Sequence, residues 1–170
     1  GSVTESSMLV ESKNNYYACV YGAAGTYGRC FCDVSTGAFH VTQVNGTDWA
    51  EAACNELGSF LPAEALLGGD AAQSETICTL LTERLGACLN RGTAEQFDAQ
   101  DCGDAVCGQF GALGELEAMP CAVRAAGALL RTLKNLQKND LPHIRQMEIY
   151  MAGRFMGLDL SARRNLELTQ

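Results

Sequence analysis

The stretch from Asn15 to Val44 leaves few alternatives to an antiparallel meander. Tyr16–Tyr21 is dense in aromatic and β-branched side chains, and Gly22-Ala-Ala-Gly25 supplies the glycines of a tight reversal. Tyr27–Val34 then alternates, with Arg29, Phe31 and Asp33 on one face and Cys30, Cys32 and Val34 on the other. Ser35-Thr36-Gly37 reads as a second turn and Ala38–Val44 as a third strand. A three-stranded meander is stable only when its apolar face is covered, so the remaining chain must supply the cover.

Helical periodicity follows. Thr47 is the expected N-cap of a first helix, with Asp48 and Glu51 in the turn that the helix dipole favours for acids. Trp49, Ala52, Ala53 and Leu57 form its buried stripe, and Gly58 is expected to close it. Pro62 introduces a short strand at Ala65–Leu67, followed by Gly68-Gly69. Ser74 caps a second helix with the stripe Ile77, Leu80, Leu81 and Leu85, and Gly86 lies past its end. Ala87–Asn90 is a further strand and Asn90-Arg91-Gly92 a turn. Asp98 caps a third helix that runs to Phe110 and buries Cys102, Ala105, Val106 and Phe110. Gly103 and Gly108 each cost it about 1 kcal/mol relative to alanine, so its stability rests on packing. The order is βββαβαβα, a meander followed by crossovers that add parallel strands. That order resembles an α/β fold of the ribonuclease H-like class: a mixed sheet flanked by helices.

Charge divides the chain. Residues 1–118 carry a net charge of −12 and residues 119–170 a net charge of +4. So acidic a first part repels phosphate backbones and is not expected to grip nucleic acid alone. The reversal near Met119 marks a candidate domain boundary, and residues 1–7 read as a leading linker. Gly1-Ser2, without an initiator methionine, reads as a cloning scar ahead of a polar Val3–Met8. In the second part Pro120 suits the first turn of a helix, and Cys121–Lys138 is apolar on two faces. Val123, Ala126, Gly127, Leu130 and Leu133 form one face, Ala122, Leu129 and Leu136 the other, so partners are expected on both sides. Past Pro142, Ile144–Met156 is strand-like, with Met147, Ile149 and Met151 alternating. Asp159 or Ser161 starts a helix that Gln170 cuts short, as in a fragment of a longer protein.

Reactive chemistry is sparse. The nine cysteines are irregularly spaced within apolar faces, the pattern of reduced, buried thiols in a cytosolic protein. Zinc is the rival reading, but no CxxC pair occurs and the only histidines are His40 and His143. No apolar run approaches the ~18–20 residues of a membrane span, and no signal peptide is evident. Gly22-x-x-Gly25-x-x-Gly28 lies between strands rather than opening a helix, so it is a hairpin and not a phosphate loop. A metal-dependent nuclease on this fold requires clustered strand carboxylates. Tyr16–Tyr21 contains none, and Asp33 reads as a turn-capping residue without a partner. Catalytic, cofactor-binding and metal-ligating residues are therefore expected to be absent from this fragment. Incubation with Mg²⁺ or Mn²⁺ and labelled nucleic acid separates the nuclease reading from a binding module.

Several stretches together resemble one family. Asn14-Asn15-Tyr16 with Asp33-Val34-Ser35-Thr36-Gly37 is similar to the opening of the connector domain of MutS, the DNA mismatch-recognition ATPase. Ala125-Ala126-Gly127-Ala128-Leu129-Leu130 with Gln137-Lys138 resembles the start of its helical core. Leu158-Asp159 and Arg163-Arg164-Asn165-Leu166-Glu167-Leu168 resemble a core segment; Ala162 departs from the threonine frequent there. The resemblance covers nearly the whole chain from Val3 onward. It implies a connector domain over 8–118 and the first elements of the core, or lever, domain over 119–170. It further implies a non-catalytic relay between mismatch-binding and ATPase parts, cytoplasmic, with ATP, Mg²⁺ and mismatched DNA engaged by the parent protein. The partners implied are the other MutS domains and MutL, docking on the helix Ala99–Phe110; its outward residues Gln100, Asp101 and Asp104 are the candidates, the alternative being that they are ordinary solvated helix residues. Arg163 and Arg164 are expected to pair with carboxylates of the core.

Overall fold

The computed structural model describes residues 16–46 and 49–151. The expected linker, the N-cap Thr47, the first-turn acid Asp48, the helix from Asp159 or Ser161 and the pair Arg163–Arg164 lie outside the described residues, as does the Trp49 side chain.

Strands β1 (Tyr16–Ala23), β2 (Thr26–Asp33) and β3 (Phe39–Asn45) form the meander. Ala24 and Gly25, at φ 53° and 81°, make the two-residue left-handed reversal whose twist matches a hairpin. The second turn is held by Asp33, whose Oδ1 accepts from Ser35 N at 2.9 Å and Ser35 Oγ at 2.7 Å. Gly37 there, at φ 86°, faces the His143 carbonyl where a Cβ would collide. Strand β4 (Glu64–Gly69) pairs in parallel with β1, and β5 (Cys88–Arg91) in parallel with β4. A sixth strand, β6 (Glu148–Ile149), pairs in parallel with His40 and Val41 of β3. The mixed sheet runs β5-β4-β1-β2-β3-β6.

Alternation along the strands sorts the core into two layers. Cys19, Cys30, Cys32, Phe39, Val41 and Leu66 face one side; Ala18, Val20, Phe31, Ala65 and Leu67 face the other. Helix α1 (Trp49–Phe60) covers the second side with Ala53, Leu57 and Phe60. It runs past Gly58, which corrects the expected closure. The stop is Leu61, at φ 52°, whose N–H returns to the Leu57 carbonyl, and Pro62 follows. Beside α1, α2 (Glu75–Thr79) starts at Ser74, whose side chain accepts from Ile77 N. It continues through Leu80–Arg84 with a wider turn, Leu85 N bonding Leu80 O, and buries Ile77 and Leu81.

Helices α3 (Ala99–Phe110) and α4 (Pro120–Gln137) cover the first side. Side-chain packing runs on across the sign change at Met119. Ala122, Ala125, Ala126, Leu129, Leu130 and Leu133 of α4 share one core with Cys19, Cys30 and Val41 of the sheet and Cys102 and Val106 of α3. Net charge records the solvated faces, whereas these contacts are uncharged. Both sides of α4 find partners as expected, except that Leu136 is 61% exposed. The N-terminus of α4 is capped from the sheet: Gln43 Oε1 accepts from Cys121 N at 2.8 Å and Ala122 N at 3.1 Å.

Two substitutions test this account. Gly58 is helical and exposed, with nothing within 4 Å of an added Cβ, so Gly58→Ala should raise unfolding free energy by about 1 kcal/mol. Gln43→Leu should lower it by about 1 kcal/mol, since two helix N–H groups lose their acceptor. Urea titration reads both.

Candidate docking site

Helix α3 carries the three residues singled out in the sequence. Asp98 caps it, accepting from Asp101 N at 3.0 Å, and Gly111 closes it in the left-handed conformation. Cys102 and Val106 turn inward and are fully buried, leaving Gln100, Asp101 and Asp104 exposed on the opposite side. Two of the three touch: Gln100 Nε2 donates to Asp104 Oδ1 at 3.1 Å, one helical turn on. Asp101 Oδ2 lies 3.9 Å from Arg131 Nη2 of α4, an exposed pair that adds little stability.

The platform beneath this face is firmly held. Gln109 Nε2 donates to the carbonyls of Leu141 and Ile144 at 2.9 and 2.6 Å. Arg131 Nη1 donates to the carbonyls of Glu95 and Gln96, just ahead of the helix. Gly127 of α4 sits where a Cβ would strike Cys102, so the two helices approach closely. A docking face on α3 would therefore be presented in one orientation.

Other polar groups are committed internally. Asp33 holds its turn, as expected of a capping residue. An open cleft of about 740 Å³ lies between the β2–β3 turn and residues 143–148. Sequence reading missed it because its two walls are more than a hundred positions apart. Its histidines are engaged: His40 is paired with Glu148, and His143 Nε2 donates to the Val34 carbonyl at 2.7 Å. Also missed was a fully buried ion pair, Arg29 of β2 with Glu56 of α1, made through two 2.7 Å contacts. Burial works against the Arg29 charge, but Glu56 and Tyr150 outweigh it and hold the guanidinium above its ordinary value. An arginine on the inward face of an alternating strand was the only available signal.

All nine cysteines are free thiols; Cys19, Cys30, Cys32, Cys102 and Cys121 are buried, while Cys88 and Cys107 are exposed. Burial pushes Cys32 to about 12, with Asp33 adding to the shift. Cys19 and Cys30 are raised well above the ordinary value by burial and neighbouring thiols. Such thiols remain protonated and unreactive. Among the described residues no group of three or more His, Cys, Asp or Glu side chains is placed to hold a metal ion.

These features define a three-layer α/β domain with a mixed six-stranded sheet and an acidic, rigidly mounted helix on its surface. Residues 15–145 match the family model for MutS domain II, and the chain belongs to the MutS family. It is 30% identical to the DNA mismatch repair protein MutS of Ruminiclostridium cellulolyticum. Identity is 32% to that of Acetivibrio thermocellus and 36% to that of Pelotomaculum thermopropionicum. Each alignment covers 100% of this chain and 20% of the relative, so the chain spans about a fifth of the length of the curated relatives it matches. The matched range crosses Met119, in keeping with the packing of α4.

The buried acids give a pH dependence. Tyr17 is raised from 10.0 to about 12, first by burial and then by Glu64, and Cys32 from 9.0 to about 12. Each stays protonated in the folded chain at pH values where the unfolded chain releases the proton. Their stabilisation is therefore complete below the unfolded values and is lost as pH rises through the folded ones. The urea midpoint should fall between pH 9.0 and about 12; a midpoint constant across that window contradicts the buried placement.

Proposed function

We propose that this chain is the connector of a mismatch-repair ATPase, a non-catalytic domain that relays between mismatch-binding and ATPase parts and offers a docking surface to MutL. The match to MutS domain II over residues 15–145 carries the reading. Support for a ribonuclease H-like topology comes from the strand order: three antiparallel strands in sequence, then β4 and β5 added in parallel beside β1. ATP, Mg²⁺ and mismatched DNA are the business of the longer protein, and the expected location is the cytoplasm. An acidic surface suits a protein partner better than a phosphate backbone.

The docking face proposed is Gln100, Asp101 and Asp104 on α3, exposed together above a fixed base. Asp101→Lys/Asp104→Lys should weaken capture of purified MutL by about tenfold at low salt, through loss of charge complementarity. Because Asp101→Lys also sets a lysine against Arg131, Asp104→Lys alone is the cleaner variant and should act in the same direction. Surface-plasmon binding with a thermal melt as control decides it; undiminished capture by a folded double variant removes MutL docking from α3.

A further inference from the structure

Beyond residue 144 the chain is fastened to the sheet by side chains more than by its strand, and Glu148 is itself paired with His40. Glu148 and Ile149 pair with His40 and Val41, and two residues of ladder do not hold a strand in water. The attachment is completed one position on. Tyr150 N–H donates to the Val41 carbonyl at 3.0 Å, and Thr42 Oγ1 donates to the Tyr150 carbonyl at 2.6 Å. The Tyr150 ring, 4% exposed, enters the core on the α1 side, and its hydroxyl donates to Glu56 Oε1 at 2.6 Å. Both oxygens of Glu56 are already held by Arg29 of β2. The next residue, Met151, is 66% exposed.

We propose that Tyr150 is a positioning residue that makes Glu148–Met151 a rigid outlet, so that displacement of the chain beyond Met151 is delivered through Glu56 to α1 and through Arg29 to β2. The inference deepens the relay reading and rests on it: a relay needs a stiff exit, since a slack tether absorbs motion. Stiffness follows from what release entails. The ring meets water, the buried Glu56–Arg29 pair loses a hydrogen-bonded neighbour, and both backbone contacts around Tyr150 part together. The outlet should therefore open with the sheet and not ahead of it.

Residue-resolved amide exchange on the 170-residue chain tests this. The Tyr150 amide should exchange within about tenfold of the Cys19 and Cys30 amides at the sheet centre. Tyr150→Phe keeps the ring and removes the hydroxyl. Protection at residues 149–151 and around Glu56 should then fall together by roughly tenfold or more, while Cys19 and Cys30 keep theirs. Wild-type exchange at Tyr150 about a hundredfold faster than at Cys30 overturns the proposal. So does a Tyr150→Phe effect that is absent, spares α1 or spreads equally through the sheet. No partner takes part, so rapid exchange here leaves a positive MutL result standing, and failed MutL capture leaves the stiff outlet standing.

Discussion

The close seating of α4 between the sheet and α3 is the contact on which the rest of the domain depends. At Gly28 of β2 an added Cβ would lie 2.2 Å from the Cys121 carbonyl, and at Gly127 it would lie 2.4 Å from the Cys102 backbone. Helix and strand, then helix and helix, meet backbone to backbone at these two points. Between them the small residues Ala122, Ala125, Ala126 and Ala128 keep the separation short, and Leu129, Leu130 and Leu133 fill what remains. Each of those leucines contributes about 1.5–3 kcal/mol by leaving water. Without α4, the cysteine-lined face of the sheet would lie open and α3, with glycines at positions 103 and 108, would lose its main packing partner.

The elements that the sequence announced are those with local signals. Ser74 and Asp98 are side-chain caps, Ala24-Gly25 is a two-residue reversal, and the alternation of β2 sorts Phe31 from Cys30 and Cys32 onto the correct faces. What escaped was set by distant partners. Leu61 takes the left-handed conformation usually left to glycine, so Gly58 was mistaken for the stop. The pair Arg29–Glu56 joins a strand to a helix 27 positions on, and no local pattern links them. The change of charge at Met119 said nothing of packing, because a basic helix can bury an entirely uncharged stripe. The candidate docking residues were legible as a helix face, but the fixing of that face by Gln109 and Arg131 was not.

The stretches that resemble MutS have physical jobs in this domain. Asp33-Val34-Ser35-Thr36-Gly37 forms a turn in which one carboxylate oxygen serves three donors, and Gly37 lets the loop bearing His143 come close. The run Ala125–Leu130 is buried along α4, with Gly127 at its closest approach to α3.

The placement of the cysteines makes loss of structure a one-way event in air. Folded, the five interior sulfurs are shielded from oxidants and from one another's chains. Once the sheet opens they ionise at ordinary alkalinity and join the two outer ones as partners for cross-linking between molecules. Recovery then depends on a reductant more than on the intrinsic folding equilibrium, so persistence of the native form is governed by how rarely it opens.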